Sequence, residues 1–127
     1  MPRRSPVSDA ELDVLKVLWE TGPSTVRDVA AALRRRRRRL AYNTVLTLLS
    51  RLRDKGYVAA DRSETAHVFR AIVTRDELVG FSLAALVDRV CDGAASPLVH
   101  ALVRNQRFSA EEIAHFRKLL DDLTPRD

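Results

Sequence analysis

Between Tyr42 and Gly56, Val45, Leu48, Leu49 and Leu52 recur at i, i+3, i+4 and i+7, an apolar stripe that a helix buries along one side. Gly56 stops that helix. Tyr57 to Arg62 and Ala66 to Val73 then read as two short strands, with Ser63-Glu64-Thr65 as the turn between them. Two more helices are expected ahead of it. The first opens on the capping box Ser8-x-x-Glu11, buries Leu12, Leu15, Val17, Leu18 and Trp19, and ends at Thr21-Gly22-Pro23, with Gly22 as a left-handed cap. The second starts from Ser24 as its cap and carries Val26, Val29, Ala30 and Leu33, with the arginine run Arg34 to Arg39 at its end. Two helices, an amphipathic third and a hairpin are the order of a winged helix-turn-helix.

After residue 73 the pattern is helical again. Thr74-x-x-Glu77 and Ser109-x-x-Glu112 are further capping boxes, and Asp92-Gly93 is a break. The apolar positions of these helices are too many to leave in water and too few for a separate core. They read as half of a two-chain core, with Phe81, Leu86, Val90, Leu98, Leu102, Phe116 and Leu120 as the candidate dimer interface. The expected fold is mainly α with a small β-hairpin wing: a DNA-binding domain over residues 1–73 and a helical dimerisation domain over 74–127.

Charge follows the same division. Residues 1–73 hold 15 Lys/Arg against 8 Asp/Glu, a net +7, whereas residues 74–127 hold 7 against 9, a net −2. The N-terminal part suits a polyanion and the remainder does not. On the third helix Thr44, Thr47 and Arg51 lie together opposite the apolar stripe, with Asn43 beside them and Leu46 at the border. Threonine hydroxyls and methyls suit base edges, and an arginine fork suits guanine or a phosphate. Asn43, Thr44, Leu46, Thr47 and Arg51 are therefore the candidate base readers. An ordinary solvated helix face is the alternative, and the two short helices before it and the hairpin after it favour DNA. Arg35, Arg36, Arg37 and Arg38, with Arg62 on the wing, are the candidate backbone contacts; a solvated loop is the competing reading of the run.

Enzymatic chemistry finds no footing. His67, His100 and His115 are scattered, no Gly-rich phosphate loop occurs, and the single cysteine, Cys91, allows neither an internal disulfide nor a multi-cysteine metal site. No metal, cofactor or catalytic residue is expected. Acidic residues follow the N-terminus where an export signal needs an apolar stretch, and the longest uncharged apolar run, Leu78 to Val87, is about half a membrane span. A cytoplasmic protein without direct membrane binding is expected.

These residues resemble the BlaI/MecI penicillinase repressor family of winged-helix regulators over about residues 7–123. SDAELDVLKVLW resembles the family's opening helix and YNTVLTLLSRLRDKGYV its recognition helix and first wing strand. VDRVCDGAASPLVHALV and FSAEEIAHFRKLL resemble its dimerisation helices. The resemblance implies a homodimeric repressor on an inverted-repeat operator in double-stranded DNA, controlling an antibiotic-resistance or stress-response operon and relieved by a membrane sensor-protease pathway. It places the cleavage bond at Ala101-Leu102, where family members join Asn to Phe. Leu40-Ala41-Tyr42-Asn43 stands where the family often has Trp-Ser-Pro-Lys, which implies a different operator, and the arginine run is outside the family pattern. The Cys-x-Cys pairs of a copper-responsive branch are missing. A winged helix used as a protein-interaction module is the rival reading, and a small-molecule sensor the third.

Overall fold

A computed structural model describes residues 5–62 and 66–125. Its elements run α1 (Asp9–Thr21), α2 (Val26–Arg35), α3 (Tyr42–Asp54), β1 (Val58–Arg62), β2 (His67–Ala71), α4 (Arg75–Val90), α5 (Ser96–Asn105) and α6 (Ala110–Asp121). This is a mainly helical winged helix-turn-helix with a helical tail. The wing is antiparallel, with Val58 opposite Ala71 and Arg62 opposite His67. The expected turn Ser63-Glu64-Thr65 lies outside the described residues. The chain divides into two compact units, one ending at Ala85 and the other beginning at Leu86.

The first unit closes a core. Val14, Leu15 and Leu18 of α1, Val29 and Leu33 of α2, Val45, Leu49 and Leu52 of α3, Tyr57, Val58 and Phe69 of the wing, and Val73 are all buried. Leu78 and Phe81, from the first turns of α4, pack against that core half-buried. Trp19 joins in through its ring and donates Nε1–H to the Val73 carbonyl at 2.8 Å.

Capping follows the expected local chemistry with two corrections. Ser8 and Glu11 satisfy each other's amides at 3.0 and 3.2 Å, and Ser109 with Glu112 do the same at 3.0 Å. The cap of α2, however, is Thr25, boxed with Asp28, and not Ser24. Ser24 is drawn away because its N–H and C=O both pair with Phe69, at 2.9 and 2.8 Å, tying the wing to the start of α2. Gly22 does have a positive φ of 80°, but its ψ of −165° is extended, not left-handed helical.

The arginine run is an ordered turn. Arg38 N–H bonds to Leu33 C=O and Arg37 N–H to Arg34 C=O, the two bonds of a Schellman ending, with Arg37 at φ 65° where glycine is usual. Arg36 pairs with Glu20 at 2.6 Å and Arg38 with Asp13, so both reach back onto α1. Arg36 holds the Glu20 carboxyl below the usual carboxylate range by hydrogen bond and charge, helped by Arg35 and Arg75.

Among the described residues of the second unit no side chain is buried. α5 and α6 have no buried residue, and neither does α4, which crosses between the units. Within this unit Phe108 meets Phe116 edge-on, centroids 5.1 Å apart. Among the described residues no helix is long and apolar enough to cross a membrane.

Candidate nucleic-acid interface

The buried stripe of α3 decides what its other face can do. With Val45, Leu48, Leu49 and Leu52 pressed into the core, Asn43, Thr44, Thr47 and Arg51 are held exposed on a helix that cannot rotate without breaking that packing. Leu46 is 37% exposed, the border position expected of it. No side chain caps α3 at Ala41. Thr47 Oγ1 donates to the Asn43 carbonyl at 2.9 Å, which fixes its rotamer.

The foundation beneath α3 is a partly buried ion pair. Lys55, its C-cap, extends Nζ to Glu11 Oε1 at 2.8 Å and to the Pro6 carbonyl at 2.8 Å. Burial pushes the Glu11 carboxyl up. The Lys55 hydrogen bond, the Ser8 amide and hydroxyl, and the Lys55 charge outweigh this and hold it below its ordinary value. Tyr57 adds a hydroxyl bond to the Ser5 carbonyl at 2.6 Å, so the segment before α1 is fastened to the end of α3.

The expected backbone contacts are not equivalent. Arg35 and Arg37 are exposed, whereas Arg36 and Arg38 are engaged with α1. Arg62 is exposed at the end of β1, opposite His67. Apart from Leu46, a further group was missed by the sequence reading. Tyr42, Leu46, Ser50 and Arg53 form one ridge along α3. With Thr25, Val26 and Arg27 of the α2 start and Ala66, His67 and Phe69 of the wing, they line an open cleft of about 690 Å³. The spacing of Tyr42, Leu46 and Ser50 signals a shared ridge, but nothing local brings Arg27 and His67 to it. A second open hollow of about 840 Å³ lies around Trp19, Ile72 and Arg75, where the Arg75 guanidinium sits 5.4 Å from the Trp19 ring centre.

Of the candidate interface residues, Leu86, Val90, Leu102, Phe116 and Leu120 are exposed and Leu98 is half-buried. Phe81 packs against the first unit's core. Ala101 and Leu102 are exposed and lie inside α5.

The penicillinase repressor family model matches residues 7–122. The chain is 38% identical over 126 residues to the transcriptional regulator BlaI of Mycobacterium tuberculosis, covering 97% of this chain and 88% of that protein. It is 20% identical over 120 residues to the penicillinase repressor of Staphylococcus aureus, covering 94% of each. Among solved structures it is similar to a MarR family protein from Bacillus stearothermophilus, with 24% identity, a TM-score of 0.47, and coverage of 92% and 72%.

Proposed function

Because the chain belongs to the penicillinase repressor family, and is a DNA-binding transcriptional repressor and not an enzyme, we propose that it acts as a homodimer on an inverted-repeat operator. The observation that carries this reading is the exposed polar face of α3, clamped in place by its own buried stripe. Asn43, Thr44, Leu46, Thr47 and Arg51 enter the major groove and read base edges. Arg35, Arg37 and Arg62 meet phosphates. Arg36 and Arg38 reach them only by sharing or leaving their carboxylates on α1.

The second unit supplies the dimer. Leu86, Val90, Leu102, Phe116 and Leu120 present apolar surface that a second copy covers, with Leu98 at its margin. Dimerisation extends the tail domain back toward residue 74. Two linked α3 helices then meet two half-sites about one DNA turn apart. The repressor works in the cytoplasm on an antibiotic-resistance or stress-response operon and is released by a sensor-protease pathway. Because Ala101-Leu102 lies within a helical turn, cutting there needs α5 to open first.

Gel shifts on the chain's own promoter region test the reading. A specific shift that weakens steeply with salt is expected, and a protein-interaction module gives none. Thr47→Ala should lower operator affinity by on the order of 1 kcal/mol and leave random DNA nearly untouched. Equal losses on both would move Thr47 to the DNA backbone.

A further inference from the structure

The cleft beside α3 has features that the groove-reading face does not explain. Its three walls come from separate elements, and the Ser24–Phe69 bridge fixes two of them against each other. Arg27 stands on the α2 wall and Arg53 on the α3 ridge, both exposed. Neither has a carboxylate partner among the described residues, whereas Arg36, Arg38, Arg70 and Lys55 each have one. Among the described residues no acidic side chain lines the cleft.

We propose that this cleft is the seat of one sugar-phosphate strand of the duplex, with Arg27 and Arg53 closing on its phosphates from opposite walls. The assignment rests on the DNA-binding reading and adds the strand's position to it. From Tyr42 to Arg53 the ridge is about 16 Å long, enough for several nucleotides of one strand. Phosphates meet the two guanidinium groups. The sugar faces lie against the exposed Tyr42 ring, and the Tyr42 and Ser50 hydroxyls and the His67 ring offer further hydrogen bonds. The strand is thereby fixed relative to α3, which sets how deep the helix enters the groove. The main phosphate clamp is then a pair of separate arginines and not the arginine run.

Fluorescence anisotropy on a random-sequence duplex, across a salt series, isolates the clamp. Arg27→Gln with Arg53→Gln should flatten the salt dependence of log K by roughly 0.9 for each phosphate no longer neutralised, and weaken binding roughly tenfold per phosphate near 0.1 M salt. Arg36→Gln with Arg38→Gln removes the same charge away from the cleft and should change the slope much less. Unchanged binding by the Arg27/Arg53 variant, or equal weakening in the Arg36/Arg38 control, overturns the clamp while leaving DNA binding intact. Failure of the unaltered chain to bind the duplex at low salt defeats the DNA reading itself. Both altered pairs are surface side chains, and matching melting curves for all three proteins confirm that folding is not the variable. Arg27→Lys with Arg53→Lys should retain the slope, since each ammonium still displaces a counterion. A flattened slope in that variant would also overturn the assignment as a charge clamp.

Discussion

The two units of this molecule carry similar helices to opposite ends. Up to Ala85, three helices and a hairpin turn their leucines and valines toward one another until Leu15, Leu33, Leu49 and Leu52 are sealed from water. From Leu86 onward two helices and the end of a third bury nothing completely, and Leu120 and Leu123 stay about two-thirds exposed. Amphipathicity is therefore not the difference. The first unit contains the opposing faces its stripes need, and the second lacks them. The first can hold α3 rigid as a single chain. The second reaches comparable burial only with another surface against it.

Cutting the molecule between the units gives the largest expected effect. A chain ending at Ala85 should keep its melting transition but bind a full operator about 10²–10⁴-fold more weakly, because the two half-sites are no longer linked. Operator affinity equal to that of the full chain, measured by anisotropy, would show that the tail adds nothing to binding.

Leucine deletions then compare the units directly. Leu49→Ala should cost about 2–5 kcal/mol in urea unfolding, since Leu49 is fully buried and its neighbours cannot collapse into the gap. Leu120→Ala, at a site 65% exposed in the single chain, should barely move that transition and should weaken association in sedimentation. Similar unfolding losses for both would erase the distinction between a closed and an open core.

Lys55→Met probes the ion pair confined to the first unit. It leaves Glu11 buried without its cation and should cost roughly 3 kcal/mol at neutral pH, the low end for a broken buried pair because Lys55 is partly exposed. The pH dependence has a defined sign. Glu11 is held below its unfolded value of 4.5, so its contribution is present above that value and disappears as pH falls through the lower folded value. Acid melts of the Ala85-terminated chain should show this loss, and Glu11→Gln should flatten it.

The smallest effect belongs to Arg37. Its positive φ of 65° costs an ordinary residue about 1 kcal/mol relative to glycine, so Arg37→Gly should raise the first unit's stability by up to that amount. A destabilised variant would mean that the arginine side chain holds the turn more strongly than the backbone resists it.

Features resting on neighbouring residues were legible from sequence. The α3 stripe, the boxes at Ser8 and Ser109 and the stop at Gly56 all depend on spacings within one or two turns. Features resting on distant partners were not. Ser24 looks like a cap until Phe69 claims its backbone, and Glu11 fits its capping box so well that Lys55, 44 residues away, leaves no local trace. The arginine run invited a choice between loop and clamp because Asp13 and Glu20 lie a helix earlier. The α3 readers were accessible because one helix carries them all, whereas the cleft draws from three segments and has no sequence period.

The Thr47 hydroxyl carries one more implication. Its proton is already committed to the Asn43 carbonyl, so toward DNA it offers lone pairs and a methyl but no hydrogen. In the major groove only adenine N6 and cytosine N4 present a hydrogen to accept, while guanine O6 and N7 and thymine O4 present lone pairs that would face its own. This threonine thus has a polarity. If Thr47 reads bases as proposed, it discriminates by what a base can give, favouring the amino-bearing edge at its position in the operator, and its methyl adds preference where a neighbouring thymine turns its own methyl toward it.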